Sequence, residues 1–512
     1  MTMVRTRLQV QLFIIDENGA LRPAGSTVAG RTPKIPQATT WMIQPCQPMA
    51  DADWDTLLAL MGDLRIPGLI VHDRKMTDGL LERISRLKHV TYLRFPGAMH
   101  VTDGGLRHLA AMPHLQHLDL SCPQVTDRGL EIVSQLTELR SFKVVHHGRV
   151  SDAGLTHLAN CPHLESVDFM GTGAGDGVIR ALAGKSGLRH FVPGSRTTDA
   201  GLALMNDFPM FKAWQGGDTT RKANAMGNPS ALPTYLFLNL NAPVTDHGIA
   251  QLAGLEGLST LTLYGWARSG PFDARNSAIT PAGVAQLSRS PHLRSLGCFE
   301  PLCTGDVVRA VSAMPSIRSL AGITSSDGFD AVSRSRSIEF LGGANITGDR
   351  FTALAGMPAL RELGLNLKSV DDESLSSLSR FPALRTIGPG GVPDAGYRHI
   401  GSCEKLESVS CMYCWGITDA ATEHLAGLAH LKNYEAWSLE ITDRTLEILS
   451  RIHSLERILI SDKAQVTDAG LGAIAGLPRL REVVLESLAN VSPTGPAVFA
   501  PHVEVNIVTG EA

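Results

Sequence analysis

The sequence predicts an α/β solenoid, a coil of short units that each join a brief helix or 3₁₀ turn to a short strand. Three observations predict it. The phrase VTD, or a close variant, restarts every 21 to 25 residues over most of the chain. Apolar residues recur at offsets of 5, 8, 11, 14, 17 and usually 19 from the residue that opens each phrase. Within a unit the spacing passes from three-residue steps, which suit one side of a helical turn, to alternation, which suits a strand. One unit cannot bury its own apolar side, whereas stacked units bury all of them in a continuous core.

The elements follow in chain order. In MTMVRTRLQVQLFIIDENG two arginines precede an apolar stretch, but Gln9 and Gln11 interrupt it and it ends in turn residues. It reads as a strand rather than a secretory leader. Residues 1–51 are expected to form a strand or hairpin cap over the first repeat, since a bare solenoid end would expose core and a sheet edge. About eighteen repeats fill residues 52–490. After Val101 the apolar series is Leu106, Leu109, Met112, Leu115, Leu118 and Leu120. Weaker copies open at Ala52 and at Arg221, the latter with Pro229 in a helical slot. The Thr-Asp or Ser-Asp pair offers oxygens to the free N–H groups of a helix start, and the carboxylate complements the helix dipole. The repeat opening at Val244 carries an extra loop at 265–278, and a partial repeat caps the chain at 491–512.

LESVSCMYCWGITDAATEHLAGL (406–428) resembles the cysteine-containing, F-box-associated subclass of the leucine-rich repeat superfamily, in a bacterial-like variant. The resemblance spans roughly residues 52–505. It implies a right-handed horseshoe with a parallel sheet on the concave face and short helices or 3₁₀ turns on the convex face. At about 4.8 Å per strand the arc would be roughly 80 Å long. It also implies an alternative role as the substrate-recognition arm of a ubiquitin-ligase-like complex or as a bacterial effector. Residues 1–51 lack the helical pattern that an F-box would show.

A composition of 43% hydrophobic and 19% charged residues with a net charge of −4 describes an ordinary folded chain without a basic field. Nucleic acid and membrane are therefore excluded as expected partners, and no apolar run approaches the roughly 18 residues that span a bilayer. The expectation is a cytoplasmic monomer, with leaderless export left open.

Residues that invite chemistry follow the repeat instead. Seven of eight cysteines fall at core offsets; Cys411 and Cys414 form a CxxC, but no second pair stands nearby to complete a tetrahedral metal site. Half of the histidines share two offsets, and the pairs His114 with His117 and His146 with His147 read as turn residues rather than ligands. GTGAGDG (171–177) suggests a phosphate loop but misses the G-x-G-x-x-G spacing and lies at a repeat boundary. The expectation is no enzyme, no metal and no cofactor.

A partner, another protein or peptide, is expected on the concave face. With offsets 17 and 19 pointing inward, offset 18 points outward. That row reads Arg94, Asp119, Lys143 and Asp168 early on, a charge ladder, and later Gly297, Ala321, Gly342, Gly364 and Gly388. Glycine in a strand marks close approach by another chain or ligand. Phe299, Phe340, Glu362 and Asn366 flank the row as a wall, Met412, Tyr413, Trp415 and Trp437 follow it, and Trp266 lies in the extra loop. Three readings stay open: a partner groove, a row filled by the chain itself (the loop at 265–278 included) or left by mere repeat decay, and a small-molecule pocket. An enzyme using Glu362 in the trench is the remaining alternative.

Overall fold

Each VTD phrase becomes a capped helix start. The Thr102 hydroxyl accepts the Gly104 N–H at 3.1 Å and opens the helix Asp103–Leu106, which tightens into the 3₁₀ turn Arg107–Ala111 before the strand His117–Leu120. Thr126, Ser151, Thr198, Thr245, Thr280, Thr418, Thr442 and Thr467 repeat the cap. Val101 and its six apolar followers are each no more than 1% exposed. Burying each such side chain contributes about 1.5–3 kcal/mol, which must offset the ordering of the unit.

The computed structural model describes residues 2–508 apart from 16–20, 28–31, 36–39, 47–48, 72–75, 214–234, 240–241, 265–277, 299–301, 324, 412–413, 415, 439, 462–463, 493 and 501. The chain divides into two compact units. The N-terminal unit holds residues 12–22 and 36–302. Its strands run parallel in chain order from Trp41–Pro45, which pairs Met42 with Gly68 at the first repeat, to Ser295–Cys298. The C-terminal unit holds residues 303–512 with 1–11 and 23–35. Its parallel strands run from Ser319–Ile323 to Glu504–Val508. There Gln11 Nε2 donates to Asn506 Oδ1 at 2.9 Å, so an early strand residue meets the last strand. The N-terminal residues are thus shared between the units.

Neighbouring repeats are stapled by their aspartates. Asp78 accepts the Thr102 N–H on Oδ1 at 2.8 Å and the Thr102 hydroxyl on Oδ2 at 2.6 Å. The same two-point contact joins Asp103 to Thr126, Asp127 to Ser151, Asp176 to Thr198, Asp199 to Thr245 and Asp246 to Thr280. In the C-terminal unit it joins Asp394 to Thr418, Asp419 to Thr442, Asp443 to Thr467 and Asp468 to Ser492. The carboxylate expected to serve its own helix therefore serves the next one. This contact also explains the glycine in VTDGGL: a Cβ at Gly105, Gly283 or Gly470 would collide with the preceding repeat's aspartate.

Residues 190–191 of the strand His190–Val192 pair directly with Tyr235 and Leu236, and Asp199 bonds Thr245. Arg221, expected to open a repeat, lies with residues 214–234 outside the described residues. Phe237, not Asn239, stands opposite Thr262.

Candidate functional site

The sheet face away from the core is the candidate site, and each unit presents its own. In the N-terminal unit the expected charge ladder is present. Arg94 stands opposite Asp119 and Asp119 opposite Lys143, with Arg94 Nε 2.9 Å from Asp119 Oδ2 and Lys143 Nζ 3.5 Å from Asp168 Oδ2. Burial raises the Asp119 pKa above the ordinary carboxylate range, although Arg94 and Lys143 pull it down. His190, fully inside, is pushed down to about 4 by burial. Gly297 belongs to this unit, beside Thr262, whose methyl a Cβ would approach to 3.2 Å.

The C-terminal unit brings Ala321, Gly342 and Gly364 into one register row. Gly388 follows Ile387, which pairs with Leu363, and extends the row. The three glycines differ. The Phe340 ring sits over Gly342, two of its carbons 2.5 and 2.8 Å from where a Cβ would stand, so the expected wall residue covers the strand. Gly364 is exposed, and a Cβ there would meet nothing closer than 3.9 Å. Gly388 is half-buried with room for a Cβ. Glu362 stands between Phe340 and Thr386 in register, and Asn366 is exposed at the strand end, where its Oδ1 accepts the Lys368 N–H at 3.1 Å. Two bulges, at Ala321/Ile323 and at Gly343/Asn345, twist the neighbouring strands.

Further along, the row reads Ser410, Glu435, Leu459, Val484 and Asn506. Ser410 donates to Glu435 at 2.6 Å, Arg457 pairs with Glu435 and with Glu482 (3.0 Å), and Asn506 donates to Glu482 at 3.2 Å. Trp437 is half-buried and stands opposite Ser461. Phe299, Met412, Tyr413, Trp415, Trp266 and residues 265–277 lie outside the described residues. The space over Gly342 is filled by Phe340.

The glycine loop at 171–177 already holds an anion, the previous repeat's own. Asp152 accepts the N–H groups of Gly175 (2.8 Å), Gly177 (3.0 Å) and Val178 (3.1 Å). Donors that would cradle a phosphate are thereby used. His147 accepts the Cys122 N–H on Nε2 at 2.6 Å and is 2% exposed, a core acceptor. None of the eight cysteines is in a disulfide, seven are buried, and burial pushes the Cys46 thiol up to about 12. Among the described residues no three His, Cys, Asp or Glu side chains gather as a metal would require.

With this geometry in view, the Leucine Rich repeat family profile matches residues 111–131. The fold is a leucine-rich-repeat type of solenoid, with strands parallel in repeat order and short helices or 3₁₀ turns between them. No curated protein matches the chain. Among solved structures, TLR13 in complex with ssRNA13 is 13% identical with a TM-score of 0.44, covering 91% of this chain and 66% of that one. This chain thus spans just under two thirds of the TLR13 chain. A leucine-rich repeat protein of Leptospira interrogans is 11% identical with a TM-score of 0.32, covering 88% and 98%. An internalin of Listeria monocytogenes is 13% identical with a TM-score of 0.22, covering 85% and 90%. One of these similar structures holds single-stranded RNA, so the expectation that excluded nucleic acid is withdrawn. Among the described residues no helix is long and apolar enough to cross a membrane.

Proposed function

We propose that this leucine-rich repeat protein is a non-catalytic scaffold that docks an extended polypeptide on the open sheet face of its C-terminal unit. The observation that carries the reading is Gly364, a sheet position with no side chain of its own and open space above it. Backbone bared in this way lets another chain approach closely. Outward positions of this face carry Glu362, Glu435, Glu482 and Glu486 against Arg457, which favours a basic segment. A recruiting arm of a ubiquitin-ligase-like complex would use the same face.

The test is capture from native lysate with wild type, Gly364→Arg and the control Gly356→Arg, which projects into open space elsewhere in the same unit. The expected result is a protein retained by wild type and Gly356→Arg, insensitive to ribonuclease, and lost with a folded Gly364→Arg. Capture that persists in Gly364→Arg, or that ribonuclease abolishes, contradicts the proposal.

A further inference from the structure

In the C-terminal unit the residue just before each of six successive strands is charged, and strand pairing sets these residues side by side. The row reads Arg318, Glu339, Arg361, Arg385, Glu407 and Lys432. Its members are joined through the backbone: the Arg361 N–H donates to the Glu339 carbonyl at 2.8 Å, and the Arg385 N–H to the Arg361 carbonyl at 2.8 Å. The sign alternates along the row except between Arg361 and Arg385. Glu339 lies 3.7 Å from Arg318, and Glu407 lies 3.6 Å from Arg385 and 2.8 Å from Lys432. Arg361 is exposed, and its side chain joins no ion pair or hydrogen bond among the described residues. Like charges on adjacent strands repel, and one carboxylate between these two guanidinium groups would restore the alternation. Three residues further along the same two strands, roughly 10 Å away, lie Gly364 and Gly388 with their room for another backbone.

We propose that Arg361 and Arg385 bind an Asp or Glu side chain of the polypeptide that docks over Gly364, an inference that rests on the docking role of that face. Guanidinium forks match a carboxylate in two-point geometry. A single carboxylate meets the one unpaired cation, Arg361, whereas a phosphate dianion would exceed it. The ligand is therefore bipolar, with its acidic residue at Arg361 and its basic residues over Glu435 and Glu482. Two strand steps separate Arg385 from Glu435, and five separate Arg361 from Glu482. At about 4.8 Å per step these spans are roughly 10 and 24 Å, which an extended chain covers in about three to seven residues.

The experiment selects a phage-displayed library of random dodecapeptides, their C-termini fused to the coat protein, on folded wild type and Gly364→Arg. The expected result is peptides selected by wild type only, with Asp or Glu about three to seven residues from Lys or Arg. Replacing the acidic residue of one such synthetic peptide by its amide should weaken binding about tenfold, as should Arg361→Ala with Arg385→Ala. Both changes together should weaken it no further, a non-additivity that a merely structural role of the arginines would not produce. Selected peptides without an acidic residue, or losses that add, overturn the inference and leave the docking role of Gly364 standing. Peptides that bind Gly364→Arg equally well, or no selection at all, overturn both. A single-stranded RNA dodecamer bound by wild type and lost with the arginine pair would assign the site to phosphate and overturn it too. The peptide substitution is read on wild type, so the test decides even where the double variant fails to fold.

Discussion

The C-terminal unit contains two stretches with the same repeat period and different joinery. From Asp394 to Ser492 every repeat is stapled to the next by the aspartate contact. From Cys303 to Val392 the carboxylates make other contacts: Asp306 pairs with Arg309, Asp349 accepts the Thr347 hydroxyl and Asp371 accepts the Ser374 N–H within their own repeats, while Asp330 pairs with Arg350 of the next. The sequence shift behind this is small. Gly305, Ser326 and Gly348 occupy the third place of the phrase, and the aspartate falls one residue later, at Asp306, Asp327 and Asp349. Asp372 keeps the right place but faces Pro393, which has no N–H to give, and turns to Arg398 and His399 instead. The unstapled stretch is also the one with bulged strands and the bare Gly364. Lateral rigidity and an open sheet face have been divided between neighbouring parts of one unit.

The comparison can be broken by removing a staple. Asp419 accepts four bonds, from the N–H and hydroxyl of Thr442 and of Thr445, so Asp419→Ala should cost about 3 kcal/mol or more in urea unfolding. Asp349→Ala, in the unstapled stretch, should leave the urea midpoint nearly unchanged. Equal effects would refute the division.

Acid offers a second probe. His190 has its pKa lowered from 6.5 to about 4 by burial. The unfolded chain therefore takes up this proton first, and stability of the N-terminal unit should fall between pH 6.5 and 4 by up to about 3 kcal/mol. Burial raises the Asp419 pKa but its hydrogen bonds outweigh that, leaving it below 3.8. Its contribution is present above that value and is lost only as pH falls further. Melting curves of wild type and His190→Gln across this range separate the two: the variant should lose the upper transition and keep the lower.

Glycine substitutions sharpen the contrast with smaller effects. Gly470→Ala should destabilise by about 1–3 kcal/mol, because Asp443 must yield its place. Gly364→Ala should change stability by less than about 0.5 kcal/mol. A large loss at Gly364 would mean that the position is closed.

Much of this was legible in the sequence. Core offsets, strand places and the charge ladder from Arg94 to Asp168 follow from period alone, because apolar burial repeats where side chains repeat. The staples were not, since a Thr-Asp pair looks the same whether its carboxylate serves its own helix or the next. The glycine at Gly105 and Gly283 was the available sign, a small residue demanded at a helical position where nothing local requires it. Phe340 was assigned to the wall because a period gives the face of a side chain and says nothing of its rotamer.

Native-state hydrogen exchange across the C-terminal unit tests the division most directly. The account predicts that the amides of Thr418, Thr442 and Thr467, each held by a neighbouring aspartate, exchange far more slowly than those of Thr304 and Thr347 at the same place in the unstapled repeats. Equal protection in the two sets would contradict it.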